Sequence, residues 1–121
     1  MNHATETARR YLDSWNAADA TERRRLLAQL WIDDGRYADP MMSASGVGAI
    51  DGMIAAVQQK FPGYRFMPHG SVDSHGPYLR FSWALADAQG VALARGTDVA
   101  TLSDDGRLQS VIGFIDQAPG S

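Results

Sequence analysis

Cysteine is absent from this 121-residue chain. The chain can therefore form neither disulfides nor thiolate metal sites, and it has no cysteine nucleophile. Positive charge is also scarce, because 11 Lys and Arg residues stand against 14 Asp and Glu residues, for a net charge of −3. Nucleic-acid binding normally requires a basic surface, so we expect no nucleic-acid partner. We interpret the only basic run, Arg23 to Arg25, as a solvated helix face.

Long apolar runs are missing as well. No hydrophobic stretch approaches the roughly 20 residues that span a bilayer, and the segment from Met1 to Glu6 is too polar for a signal peptide. We therefore expect a soluble, cytoplasmic protein with no membrane partner. Hydrophobic residues make up 45% of the chain, which suffices for one core at this length. We predict a single domain over residues 1–117 and a flexible tail over residues 118–121.

Hydrophobic residues recur at helical spacing in three segments of the first half, which predicts three amphipathic helices. Asp19, followed three residues later by Glu22, resembles a capping box and marks the start of the second helix. Pro62 and Gly63 end the third helix. The predicted helices extend over Thr7–Ala18, from Asp19 to about Trp31, and from Ile50 to Phe61.

After Gly63 the hydrophobic pattern changes to period two, which is typical of strands with one buried face. Three turn signals divide this part into four strands, and the short connections predict antiparallel pairing. A further short strand is predicted from Gly35 to Pro40. The four predicted strands are Tyr64–Ser74, Tyr78–Ala86, Val91–Leu102 and Leu108–Asp116. Helices followed by a contiguous antiparallel sheet make this an α+β domain, with the helices on one face of the sheet.

Two carboxyls and a phenol are placed by these patterns where they would face one interior. Tyr11 lies on the apolar face of the first helix, Asp39 directly precedes Pro40, and Asp98 shares a strand face with small residues. Buried carboxyls are costly and tend to be functional or tightly paired. Each residue also has a structural interpretation: Tyr11 as a core aromatic, Asp39 as a turn residue that bonds the backbone, and Asp98 as part of a buried network. Both interpretations stay open at this point.

Neither a metal nor a cofactor is indicated by the sequence. His69 lies on a mostly polar strand face, His75 lies in a turn, and no pair of histidines has ligand-like spacing with a carboxylate. Gly46 and Gly48 lack a preceding strand and the remaining glycine of a dinucleotide fingerprint, so they predict only a loop into the third helix. We therefore expect no cofactor and no metal.

Four short motifs, each weak alone, occur in a fairly specific order and spacing. They are Arg10-Tyr11-Leu12 with residues 15–19, residues 31–40, Gly96-Thr97-Asp98, and residues 105–108. Together they resemble the nuclear transport factor 2-like superfamily, most simply a SnoaL-like domain. The resemblance implies a conical, cystatin-like α+β barrel in which a strongly bent sheet wraps around the helices and leaves a pocket at the open end. It also implies a homodimer formed through the outer face of the sheet.

Within this superfamily the chain is similar to the ketosteroid isomerases at three positions. The resemblance assigns the oxyanion-hole tyrosine to Tyr11, the general base to Asp39, and to Asp98 a protonated acid that also donates to the oxyanion. Bulky neighbours, which would fill much of the space that a steroid needs, are candidates for contacting a ligand. These ligand-binding candidates are Trp15, Tyr37, Met41, Phe61 and Trp83, with Met42 beside them.

The leading functional hypothesis is cofactor-independent proton transfer on a small apolar carbonyl compound, as in isomerases, polyketide cyclases or dehydratases. One alternative is a binding protein in which the same acids only orient a small apolar guest. Another is a protein-association module, which would need an exposed apolar patch. Epoxide hydrolysis would need an arginine that bridges two acids. Arg95 points to the opposite face of its strand from Asp98, which argues against this chemistry.

Overall fold

The computed structural model describes residues 3–119, which form three helices and six strands. The α+β class is confirmed, with the helices preceding most of the sheet. Residues 120 and 121 of the predicted tail lie outside the described part of the chain. In chain order, the elements are α1 (His3–Asn16), α2 (Ala20–Leu30), β1 (Trp31–Ala38), β2 (Ser43–Ser45), α3 (Val47–Lys60), β3 (Arg65–His75), β4 (Tyr78–Ala86), β5 (Ala92–Leu102) and β6 (Leu108–Gln117).

The six strands form one sheet in the order β2-β1-β6-β5-β4-β3. Strands β3 to β6 pair antiparallel with their chain neighbours, as predicted. Strand β1, however, pairs with β6 in parallel, so the sheet is mixed and not wholly antiparallel. A long connection through α3 and four strands separates β1 from β6, and a connection of that length permits the parallel direction. The outermost strands, β2 and β3, do not pair with each other, so the cone stays open.

The boundary between α2 and β1 differs from the prediction. Helix α2 ends at Leu30 and the strand begins at Trp31, whose backbone is extended (φ −109°, ψ 151°) although its N–H still bonds the carbonyl of Leu27. No loop therefore separates the two elements. The indole of Trp31 is buried and lies over Gly35, where any Cβ would collide with the ring. Gly35 thus makes room for Trp31 inside the strand.

Strand β2 is an element that the sequence analysis did not predict. It pairs antiparallel with the end of β1, with Tyr37 opposite Ala44, so the Asp39–Pro40 turn closes a small hairpin. Gly46 follows directly with a φ of 86°, a left-handed conformation that favours glycine, and starts α3. The prediction that no strand precedes Gly46 is therefore wrong, although three residues of antiparallel strand do not make a dinucleotide fold.

One face of the sheet is buried beneath the helices, and the other is exposed. The buried face carries Leu79, Phe81 and Val111, with α1 lying against β3 and α3 against β1. The large hydrophobic side chains of Ile112 and Phe114 lie on the exposed face. The period-two alternation predicted for β4 to β6 therefore separates an inner face from an outer one.

The basic run on α2 is not a uniformly solvated face, so that interpretation is wrong for Arg23. Arg23 is buried, and its Nε donates to Oδ1 of Asp51 on α3 at 2.6 Å. Its Nη1 donates to the carbonyl oxygen of Ala17 at 3.0 Å. Arg24 donates to the second oxygen of Asp51 at 3.1 Å, and only Arg24 and Arg25 keep exposed side chains. The partner comes from another helix, which is why the local sequence did not predict the burial.

Candidate functional site

One cavity between the helices and the inner face of the sheet brings all the predicted site residues together. Its volume is about 80 Å³. The three residues with predicted catalytic roles and the five with predicted ligand contacts all line it, and Met42 lines it too. They are Tyr11, Trp15, Tyr37, Asp39, Met41, Phe61, Trp83 and Asp98. Their shared location is a structural finding, whereas their chemical roles stay predictions.

Aromatic side chains form most of one wall. Trp15 meets Phe66 edge-on with ring centroids 5.3 Å apart, and Phe66 meets Trp83 in the same way at 5.2 Å. On its other side Trp15 contacts Tyr37 at 5.7 Å. Tyr11 and Trp15 are four residues apart on α1, a spacing that directs both to the same side of a helix. The result is an interlocked apolar wall around the acidic groups.

Asp39 holds the turn between β1 and β2. Its Oδ2 accepts a hydrogen bond from the Tyr37 hydroxyl at 2.7 Å. Its Oδ1 accepts from the backbone N–H groups of Met41 at 2.8 Å and Met42 at 3.0 Å. The carboxylate therefore bonds the turn backbone, as the structural interpretation expects, while also lining the cavity. The phenol of Tyr37 is largely buried, and this burial together with the nearby carboxylates raises its pKa.

Asp98 is the most deeply buried acid of the site. It lies on β5 between the small residues Gly96 and Ala100, with only 2% of its surface exposed. Its Oδ1 accepts a hydrogen bond from the indole Nε1 of Trp83 at 3.2 Å. Burial raises the pKa of Asp98 to about 6, although Trp83 and Tyr11 act in the opposite direction. The carboxyl therefore titrates close to neutrality.

Gly96 explains how Trp83 reaches Asp98. Trp83 on β4 and Gly96 on β5 face each other in the sheet, and a Cβ on Gly96 would collide with the indole ring. The bare backbone lets the ring lie against β5. From there its N–H reaches the carboxyl two residues further along the same face.

The Tyr11 hydroxyl is buried, and no contact among the described residues gives it the distance and angle of a hydrogen bond. Burial, and then the negative charge of nearby Asp98, raise the pKa of the phenol well above its ordinary value. Tyr11 therefore stays neutral and keeps its proton. A buried phenol of this kind normally finds a partner. The hydroxyl lies close enough to the Asp98 carboxyl to lower the pKa of that acid, and it can donate to this carboxyl or to a guest in the cavity.

Several apolar lining residues were not singled out from the sequence. They are Leu12, Val57, Phe66, Leu85, Ala94, Ile115 and Pro119. Strand parity contained a signal for Leu85 and Ala94, which face inward like Trp83 and Asp98. No sequence signal pointed to Pro119, which lies beyond the last strand.

Metal ligands do not cluster in this part of the chain. Within residues 3–119 no group of histidines and carboxylates could hold a metal ion. No helix of the same region has the length and apolar character needed to cross a bilayer.

Comparison with known proteins places this fold and site in context. The model of the SnoaL-like domain family matches residues 8–111. A candidate isomerase of the SnoaL-like family from Agrobacterium tumefaciens is 45% identical, covers 96% of this chain and 99% of its own, and superposes with a TM-score of 0.92. No match was found among curated proteins.

Two more distant structures show the fold alone. A candidate SnoaL-like polyketide cyclase from a Jannaschia species is 18% identical, with coverage of 94% of this chain and 85% of its own and a TM-score of 0.77. A nuclear transport factor 2-like protein of unknown function from an Exiguobacterium species is 24% identical, with coverage of 91% and 98% and a TM-score of 0.71. On the family match and the 45% identical relative, the chain belongs to the SnoaL-like domain family.

Proposed function

We propose that the protein is a cofactor-independent acid–base enzyme that moves a proton next to the carbonyl group of a small apolar compound. The observation that carries this proposal is Asp98, a buried carboxyl with a pKa of about 6 in an apolar cavity, where the buried hydroxyl of Tyr11 lies close to it. The relative from Agrobacterium tumefaciens, described as a candidate isomerase, supports the same class of reaction.

Asp98 is assigned as the group that takes the proton. A base is most effective when its pKa lies near the working pH, and a carboxyl with a pKa of about 6 is largely ionised at neutral pH yet still returns a proton readily. Asp39, in contrast, already accepts three hydrogen bonds from Tyr37 and the turn backbone. We therefore assign Asp39 a structural role, in which its hydrogen bonds fix the turn backbone and the hydroxyl of Tyr37. This differs from the resemblance to ketosteroid isomerases, which assigns the base to Asp39.

The proposed reaction needs only these groups. Asp98 removes a proton from the carbon next to the carbonyl, and the C–H electron pair forms the double bond of an enolate. The negative charge moves to the carbonyl oxygen, where the Tyr11 hydroxyl donates a hydrogen bond. Protonated Asp98 then returns the proton to the same carbon, which gives exchange, or to the far end of a conjugated system, which gives isomerisation. No electrons are gained or lost.

The test is the conversion of cyclohex-3-enone to its conjugated isomer, followed by absorbance, together with proton exchange into deuterated water followed by NMR. We expect the rate to rise with pH through an apparent pKa near 6. Asp98→Asn should lose about 10²–10⁴-fold, the usual contribution of a general base. Tyr11→Phe should lose about 10²-fold, the order expected for one oxyanion donor. Asp104→Asn, at an exposed turn, is the matched control and should keep full activity.

The same experiment separates the alternatives. If Asp39→Asn abolishes exchange and the rate falls above pH 6, Asp39 is the base and Asp98 acts as the protonated donor. That outcome would reverse the assignment of the base. If cyclohexenone binds and neither exchange nor isomerisation occurs at any pH, the protein is a binding protein and the proposed enzyme function is wrong.

A further inference from the structure

The cavity is small for the chemistry around it. Its volume of about 80 Å³ is roughly half that of an engineered 150 Å³ core cavity that binds benzene. Pockets for drug-sized ligands have volumes of about 300–1,000 Å³. A fused four-ring compound can therefore enter only if the walls move apart and the cavity gains the volume of several rings.

The wall formed by Phe66 resists such a movement. Asn16 on α1 makes two hydrogen bonds with the backbone of Phe66 on β3, one at 2.9 Å to its carbonyl oxygen and one at 2.8 Å from its N–H. This clamp holds Phe66 against Trp15 and Trp83, which are 6% and 9% exposed. Moving Phe66 outward breaks both hydrogen bonds and two ring contacts. Close-packed interiors of this kind adapt poorly to added volume.

The mouth of the cavity has more freedom. Met41 is 69% exposed, and its flexible side chain adapts to a guest more readily than a packed aromatic ring does. Pro119 is exposed and Phe61 is half-buried at the same cavity. We therefore expect enlargement to be easiest at this end, whereas the polar groups Asp98 and Tyr11 lie among buried side chains.

We propose that the site accepts compact unsaturated carbonyl or phenolic compounds of about one six-membered ring, and that Phe66 sets this size limit. The inference rests on the proposed function for the position of the ligand oxygen beside Tyr11, whereas the limit on size rests on the cavity walls. Phe66 is thus a specificity-determining residue. Two fused rings exceed the limit, and four fused rings exceed it by far.

The test is a binding series with phenol, 2-naphthol and equilenin, three phenols of one, two and four rings, measured by calorimetry on the full chain. The hydroxyl is common to all three, so they differ in the size of the ring system. We expect phenol to bind, and equilenin to bind at least tenfold more weakly than phenol in spite of its larger apolar surface. Equal or tighter binding of equilenin overturns the proposal, and so does the absence of binding by all three phenols.

Variants of the protein test whether Phe66 sets the limit on ligand size. In Phe66→Ala, the affinity for 2-naphthol should increase at least tenfold while that for phenol stays the same or decreases. Tyr78→Ala removes a ring that does not line the cavity, and it should leave the whole series unchanged. If Phe66→Ala does not fold, Val57→Ala enlarges the cavity from α3 and should shift the preference in the same direction. An unchanged preference in the folded variant contradicts the role of Phe66.

Measurements of binding and of turnover show which of the two proposals fails, the size limit or the enzyme function. Phenol binding with the expected size order, but without exchange of cyclohexenone, supports the size limit and rejects the enzyme. Exchange of cyclohexenone together with tight binding of equilenin supports the enzyme and rejects the size limit.

Discussion

A side chain on Gly113 would place its Cβ 2.9 Å from Oδ1 of Asp98. The two residues face each other across β5 and β6, and the same Cβ would lie 3.3 Å from Cβ of Asp39 and 3.5 Å from the Tyr37 hydroxyl. The bare backbone at position 113 therefore permits both acids and a phenol to converge on one point. This glycine has no positive φ, so space and not backbone conformation explains it.

We expect Gly113→Ala to displace the Asp98 carboxyl and to surround it with more apolar surface. Both changes should raise the pKa of Asp98 above about 6, because the carboxylate loses solvent and its alignment with Trp83. The measurement is an NMR titration of the labelled aspartate carboxyl carbons. The matched control is Gly52→Ala on α3, where a Cβ meets no atom within 4 Å. That control should stabilise the helix by up to about 1 kcal/mol and leave the titration unchanged. An unaltered pKa in folded Gly113→Ala would show that Gly113 does not position Asp98.

Asp98 should make the stability of the protein depend on pH in an unusual direction. Its folded-state pKa of about 6 lies above the ordinary value of 3.8, so the folded state binds this proton more tightly than the unfolded state does. The contribution of Asp98 to the free energy of unfolding is therefore largest below about pH 4 and falls as the pH rises through 6. The total change is on the order of 3 kcal/mol.

Asp98→Asn should abolish this dependence. The measurement is urea unfolding of the wild-type and variant proteins at several values between about pH 4 and 8, since the difference between them cancels the other acids. The variant should gain stability relative to the wild type as the pH rises. Parallel curves for the two proteins would contradict the raised pKa.

The buried ion pair between Arg23 and Asp51 should matter far more than its exposed neighbour. Burial would raise the pKa of Asp51, but hydrogen bonds from Arg23 and Arg24 outweigh it and lower the pKa. Arg23→Met removes the buried partner and should cost about 3–5 kcal/mol at neutral pH, measured by urea unfolding. Arg25→Met breaks only an exposed pair with Glu22 and should cost less than about 1 kcal/mol. Similar small losses in the free energy of unfolding of both variants would show that the buried pair stabilises the fold no more than the exposed pair does.

The outer face of the sheet is the predicted surface for a homodimer. Ile112 and Phe114 are 50% and 55% exposed there, opposite Val99 and Thr97 in the sheet register. We expect the wild type to sediment as a dimer and Phe114→Lys to sediment as a monomer, because a buried charge without a partner is costly. Val91→Lys, in the turn before β5, is the control and should leave the dimer intact. A monomeric wild type at micromolar concentration would contradict the prediction.

The secondary structure followed from local patterns wherever turn signals bound a segment. Strand β4 begins and ends at Tyr78 and Ala86, as predicted, because Gly76 and Asp87 mark its turns. The predicted start of β1 at Gly35 was wrong, because the strand begins at Trp31. Trp31 continues the apolar spacing of α2, and nothing local separates helix from strand there. The position of this start depends on the contact between Trp31 and Gly35, which exists only in the folded chain.

The sequence by itself determined which side chains face the interior, because helix and strand periodicity set side-chain direction locally. For this reason the periodicity predicts that Tyr11, Asp39 and Asp98 face one interior. Only the tertiary structure decided what each of them contacts: Asp39 is bound to its turn, Asp98 accepts from Trp83, and the Tyr11 hydroxyl lies near Asp98 without a hydrogen bond of ordinary distance and angle. Hydrogen bonds, burial and cavity volume depend on distances between elements far apart in the chain, and no local pattern encodes those distances.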